Sequence, residues 1–283
     1  MRLFLALAAV YVIWSSTYLA IRIAVVELPP FLQSSLRFVV AGIVLMVIAL
    51  RRGVAFPRAR TWLHTLPIGV LLCVGGNGFV SMAETSVSSG GAAVVCATMP
   101  LWVGVLGAFT GVRPTRREWL SLALGFAGVV VLMGGPALAG EPLHVALLVA
   151  SPICWAAGSL LSRRMHAAQN TFMFPAMQMI TGGVALAAIA AAHGERLPLD
   201  ASAQAWLALA YLCVAGSLLG FTAYNWLLRN ARPVVATSYA YVNPILAVLL
   251  GAALSGEPLG ASTVIANAMI VGAVMLALRK PAS

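Results

Sequence analysis

Long apolar runs, interrupted by charged residues and by Gly/Pro clusters, follow one another along the whole chain. A helix needs about 20 apolar residues to cross the ~30 Å hydrocarbon core of a bilayer. Dividing the sequence at its charges and Gly/Pro clusters gives ten such segments, at 3–26, 31–50, 63–84, 89–110, 119–135, 143–165, 172–192, 206–228, 233–254 and 260–279. Most links between them are short, which predicts a compact bundle without an appended soluble domain. Met1-Arg2 ahead of an apolar run resembles the start of a secretion signal. That run continues past 20 residues, however, and its pattern returns later in the chain, so the first segment is expected to be a permanent span.

Composition agrees with this pattern. Of the 283 residues 61% are hydrophobic and 8% charged, against about 45–50% and about 25% in soluble domains. With a mean hydropathy of +0.98, the chain cannot cover a globule with polar surface. This excludes a cytosolic enzyme, a disulfide-stapled secreted module and a disordered chain. The formal charge of +10 is explained by where the cations fall. Arg2, Arg51, Arg52, Arg58, Arg60, Arg113, Arg116, Arg117, Arg163, Arg164, Arg229, Arg232, Arg279 and Lys280 all lie on one side of the ten segments. Glu27, Glu84, Glu141, Glu195, Asp200 and Glu257 lie on or near the other side, with Arg196. Cationic loops resist translocation, so the basic side is expected in the cytoplasm with both termini, and nucleic acid is not needed as a partner. Cys73, Cys96, Cys154 and Cys213 sit inside apolar runs without C-x-x-C spacing, as small core residues do.

An internal repeat is present. Trp14 aligns with Trp155, Arg37 with Gln178 and Gly42 with Gly183, each 141 residues apart. Gly78-Phe79 aligns with Gly220-Phe221 at 142, and Pro100, Pro114 and Gly128 align with Pro244, Pro258 and Gly272 at 144. The two units, 1–137 and 142–283, hold five spans each. An odd number makes the second enter the membrane from the opposite face. The expected fold class is therefore an all-α integral membrane protein of ten transmembrane helices in two inverted five-helix repeats, a recurrent transporter design.

Trp14-Ser15-Ser16-Thr17-Tyr18 with Ile21-Arg22, Leu36-Arg37-Phe38, the run Ser238-Tyr239-Ala240-Tyr241-Val242-Asn243-Pro244 and the turn Gly256-Glu257-Pro258 resemble the drug/metabolite transporter superfamily, and within it the EamA family. The resemblance covers nearly the whole chain. It implies a ten-helix, two-repeat carrier in a bacterial inner membrane, with relatives that export amino acids and other small metabolites. The Gly-Glu turn occurs only in the second half; the first half has Val112-Arg113 there. Substrate identity does not carry over.

Depth within the spans selects candidate substrate-binding residues. Trp14 and Trp155 lie near the middle of spans 1 and 6, and Trp102 lies beside Met99-Pro100 in span 4. Trp62, Trp119, Trp206 and Trp226 sit at span ends, as an interfacial belt predicts. A mid-span indole N–H wants a partner, which favours the bundle interior. Tyr11, Trp14, Tyr18 and Arg22 form one helical stripe, with polar tips expected to face a watery cavity. Arg37 lies a few ångströms from its span's centre, where an unpaired arginine costs at least about 2.5–3.5 kcal/mol, so it should pair with Glu84 or with a substrate carboxylate. Asn77 within Gly75-Gly76-Asn77-Gly78, Tyr224 and Asn225 on span 8, and Tyr239, Tyr241 and Asn243 on span 9 add polar groups. Tyrosines two apart cannot share a helix face, and Tyr241 is taken as the one reaching the cavity. Gly75 and Gly76 are candidate hinges, as are Pro100 and Pro244, which lack an N–H and free the carbonyls of Cys96 and Ala240.

No G-x-x-x-x-G-K-[ST] run is present, so ATP drive is not encoded here. His64, His144, His166 and His193 have no spaced metal partners, and no cofactor is expected. Glu84 is the sole candidate for a proton relay. The expected activity is a secondary carrier exporting a small metabolite, an amino acid foremost, by alternating access. The alternatives are a passive small-solute pore and a membrane-embedded enzyme acting on a lipid-borne substrate.

Overall fold

The computed structural model describes residues 1–87, 89–109, 114–133, 141–165 and 170–246, together with 265, 268, 269, 271–273, 275 and 276. Among these every regular element is helical. In chain order they are α1 (Arg2–Val25), α2 (Pro30–Arg51), α3 (Ala59–Ala83), α4 (Ser89–Cys96), α5 (Met99–Phe109), α6 (Arg116–Met133), α7 (Pro142–Met165), α8 (Met173–Ala192), α9 (Ala203–Asn230), α10 (Pro233–Ala236) and α11 (239–246). Six of them, α1, α2, α3, α7, α8 and α9, are long and apolar enough to cross a membrane, and α5 is a shorter apolar helix. The remainder of the ninth expected span, most of the tenth, the boundary between the two repeats, Val112-Arg113 and the Gly256-Glu257-Pro258 turn lie outside the described residues.

The expected fourth and ninth spans are each interrupted. Span 4 divides into α4 and α5 at Ala97-Thr98, where the Thr98 hydroxyl donates to the Val95 carbonyl at 2.7 Å. Such local hydroxyl bonds offer the backbone an alternative to the helical ladder. Pro100 therefore sits in the first turn of α5, where its missing N–H costs nothing, instead of kinking a continuous helix. Span 9 divides at Thr237-Ser238, whose hydroxyls donate to the carbonyls of Pro233 and Val235 at 2.9 and 2.8 Å, and Pro244 falls within α11.

Helices α3 and α9 share an unusual backbone. Each widens from α into π geometry in mid-helix, over Val70–Gly78 and over Leu212–Phe221. The two stretches begin 142 residues apart, the offset of the sequence repeat. In the first, the Asn77 side-chain Nδ2 donates to the Leu72 carbonyl five residues back, at 3.3 Å. Such π geometry inside α-helices is rare and is found frequently at functional sites.

Packing pairs elements across the two sequence units: α2 lies along α8, α1 along α9, and α7 along α3. Small residues set these distances. A Cβ on Gly182 of α8 would lie 2.4 Å from the Gly69 carbonyl oxygen and 2.5 Å from the Cys73 Cβ of α3. The outward faces are apolar, with Leu5, Val12, Ile43, Val184 and Leu207 exposed, as a lipid solvent requires. Polar clasps sit at the ends. At the acidic end the Ser202 N–H and hydroxyl, at the start of α9, both donate to Glu27 at 2.6 Å and hold its carboxyl below the usual range. At the same end Glu195 accepts from the Leu32 N–H of α2 at 2.7 Å. At the basic end Arg232 pairs with Glu118 at 2.7 Å, and the Arg52 guanidinium lies 4.6 Å over the Phe172 ring.

Because the α3–α8 contact leaves no room for a side chain, Gly182→Val should lower stability by about 1–3 kcal/mol through overpacking. The check is the thermal midpoint of the detergent-purified protein, against Leu207→Val on the exposed face, which should leave the midpoint unmoved.

Candidate functional site

A cavity lies where α1, α2, α3, α7 and the π stretch of α9 meet, lined also by Cys96 of α4, Met99 of α5 and Tyr239 and Asn243 of α11. The free space inside it is about 60 Å³, room for a few waters and below the roughly 300–1,000 Å³ of an open small-molecule site. One wall is aromatic. Trp14 and Trp155 meet edge to face, with ring centres 5.4 Å apart at 88°. Tyr239 stands edge-on to Trp14 at 4.7 Å, and Phe221 lies 6.2 Å from Trp155. Tyr224 packs behind, 5.0 Å from Trp14 and 5.8 Å from Trp155, its hydroxyl pinned 2.7 Å from Ser159 Oγ.

The two indoles are held in the same way from opposite sides. Trp155 of α7 lies so close to the π stretch of α3 that a Cβ on Gly76 would stand 2.1 Å from its ring. Trp14 of α1 lies as close to the π stretch of α9, where a Cβ on Gly220 would stand 2.3 Å from its Nε1. The two π stretches also supply acceptors: the Gly216 carbonyl takes the Trp14 Nε1–H at 3.0 Å, and the Gly76 carbonyl takes the Ser151 hydroxyl at 2.7 Å. Trp155 Nε1, beside the Tyr224 hydroxyl, is buried and completes no hydrogen bond.

The cavity's charge is Arg37. Its side chain is only 3% exposed. Its Nε donates to Ser217 Oγ at 3.0 Å, its guanidinium carbon lies 4.6 Å from the Phe38 ring centre, and its Nη1 has no hydrogen-bond partner. Among the described residues no carboxylate pairs with it. A buried cation without a counter-ion is costly, and this one lines the cavity with its Nη1 donor unpartnered. One acceptor at the cavity, Asn243 Oδ1, takes the Ser15 hydroxyl at 2.9 Å. The arrangement is suited to a ligand that brings negative oxygen to the Arg37 end and an apolar or cationic part to the aromatic wall.

Of the residues singled out from sequence, Trp14, Tyr18, Arg37, Gly76, Asn77, Met99, Trp155 and Asn243 line this cavity together. Trp102 packs on the hydrophobic core, and Tyr224 is fully buried behind the wall. Gly75 faces Cys154, where a Cβ would stand 2.5 Å from that side chain. Pro100 and Pro244 are buried outside the lining. Tyr241 turns away toward α6, its ring against Gly125 and its hydroxyl donating to the Leu122 carbonyl at 3.4 Å; Tyr239, two residues earlier, is the tyrosine at the cavity. Arg37 does not pair with Glu84, whose main-chain carbonyl is instead taken by Arg22. Sequence reasoning missed Ser151, Gly216 and Phe221. Ser151 precedes Trp155 by one helical turn, and Gly216 and Phe221 belong to the second-half stretch answering Gly75–Gly78, so spacing and repeat both pointed at them. No group of three His, Cys, Asp or Glu side chains that could hold a metal occurs among the described residues.

A family model described as the EamA-like transporter family matches residues 1–134 and 143–279. The inner membrane transporter YedA of Escherichia coli (strain K12) is 42% identical over 275 residues, which is 97% of this chain and 90% of that protein. A Salmonella typhimurium (strain LT2) protein named a probable amino-acid metabolite efflux pump is 24% identical over 299 residues, 99% of this chain and 97% of its own. A solved crystal structure superposes with a TM-score of 0.77 at 24% identity, covering 97% of this chain and 95% of its own, a likeness of fold. Matched along nearly its whole length, the chain belongs to the EamA-like transporter family and is a membrane transporter.

Proposed function

We propose that the protein is a secondary carrier that exports small metabolites, amino acids foremost, across the bacterial inner membrane by alternating access of two inverted five-helix halves. The observation that carries the substrate reading is the Arg37 guanidinium, buried without a carboxylate at the edge of an aromatic-walled cavity. A substrate carboxylate supplies the missing charge, and the faces of Trp14, Trp155 and Tyr239 receive the ammonium or an apolar side chain. Alternating access draws support from the matched pieces: α1 on α9 answers α7 on α3, and each central indole rests on a glycine of the other unit's π stretch. Exchanging the conformations of two such halves moves the opening from one face to the other. The Salmonella relative's name supports the amino-acid class. The basic ends of the helices are assigned to the cytoplasm.

Purified protein in liposomes should take up a radiolabelled amino acid with saturable kinetics and accelerate exchange against the same unlabelled amino acid. Conductance without saturation would replace the carrier with a pore, and no flux across the twenty amino acids would remove the substrate class. Arg37→Gln should weaken half-saturation about ten- to a hundredfold, the worth of one lost hydrogen-bonded charge contact of roughly 1.5–3 kcal/mol, with the folded midpoint retained. Gly76→Ala should drive the Trp155 ring into the cavity and abolish saturable uptake in protein that still purifies as a single species.

A further inference from the structure

Glu84, one residue past the end of α3, is used by none of this. Its side chain is wholly buried, and neither carboxyl oxygen has a hydrogen-bond partner. A carboxylate in such surroundings loses its water and gains no donor, so the neutral acid is the form they tolerate. The groups around it are few. From α1 come Arg22, whose guanidinium donates to the Glu84 main-chain carbonyl and acts electrostatically on the carboxyl, and Tyr18. From α4 comes Cys96, which interacts with the Tyr18 hydroxyl. From α7, His144 is engaged with the Thr85 and Ser86 hydroxyls at 3.3 and 2.7 Å and with Glu141 at 3.7 Å. From α2 the packed polar groups are the neutral Gln33 and Ser34, bonded to Ser81, while Arg37 is held by Ser217. Arg22 is thus the cation already stationed at Glu84, on the wrong oxygen to neutralise it. Tyr18 and Cys96, within electrostatic reach of the carboxyl, both line the cavity.

We propose that Glu84 is a proton-binding site of the carrier: the carboxyl holds a proton in this conformation, and on releasing it pairs with Arg22, which moves from the main-chain carbonyl to the carboxylate. The acid loses H⁺ to water entering by the cavity and keeps its electron pair, and no other group changes its covalent state. Because the pairing redraws the α1–α3 contact beside Tyr18, proton release and the shape of the cavity change together. Use of the proton to drive export rests on the carrier reading above; the site itself is testable without any substrate.

The experiment is infrared difference spectroscopy of the purified protein in lipid as pH is stepped upward from neutral, with thermal midpoints measured alongside. Wild type should show the carbonyl stretch of a protonated carboxyl at neutral pH that disappears in one transition at higher pH. Glu84→Gln should lack that band and keep the wild-type midpoint at neutral pH, since a neutral amide replaces a neutral acid. Arg22→Gln should move the transition upward by about one to three pH units, a tenfold or larger gain in proton affinity from removal of the opposite charge. Identical neutral-pH spectra in wild type and Glu84→Gln would overturn the proposal. So would unfolding of Glu84→Gln, which would mark an ionised and paired carboxylate, or an unmoved transition in Arg22→Gln. A flux assay that fails while these spectra hold would count against the carrier reading alone.

Discussion

The site depends on one steric constraint: each central indole occupies volume that a side chain on the facing helix would fill. Trp155 lies on Gly76 and Trp14 on Gly220, and at both places the facing helix has widened into π geometry. The two features are linked. In each widened stretch one carbonyl, of Gly76 and of Gly216, accepts from Ser151 and from Trp14 of the opposing unit. The glycines admit the rings, these carbonyls bond the opposing helices, and the rings then meet each other edge to face. With the aromatic wall fixed, the remaining space is a cavity bounded by side chains from both units.

Much of this was legible in the sequence because membrane physics writes it there plainly. Segment length reports six of the spans, and the 142-residue offset aligned Gly78-Phe79 with Gly220-Phe221, although the parts played by Gly216 and Phe221 went unread. What failed was rotational phase. Counting along an ideal helix puts Tyr239 and Tyr241 on different faces but cannot say which face meets the cavity, since the break at Thr237-Ser238 resets the phase of α11. Pro100 misled for a related reason. A proline in an apolar run signals a kink, but the Thr98 hydroxyl bond to Val95 ends the helix first, and the proline begins the next one. Depth placed Arg37 near its span's centre and Glu84 at the outer end of span 3, and pairing was expected because both lie toward the same face. Only azimuth shows that Glu84 lies on the α1 side with Arg22 and Arg37 by the π stretch of α9.

The scaffold is reciprocal where the electrostatics are not, and the difference carries chemical meaning. The sequence counterpart of Arg37 is Gln178, buried and bonded through Nε2 to Ser162 at 3.0 Å; it lies outside the cavity lining and adds no charge. Related contacts across the two units are what the proposed exchange of conformations requires, since either conformation would be built from similar pieces. A binding site with the same symmetry would accept a polar substrate in either orientation. For the zwitterionic substrate proposed above, one arginine set against an aromatic wall would fix the orientation, because only one end satisfies the guanidinium while the other meets the ring faces. Under the carrier mechanism proposed above, matched helices would serve the motion and the Arg37 cation would serve selection, so the two functions could vary separately: a substitution at position 37 would change what is carried, and one at Gly76 or Gly220 whether the site assembles.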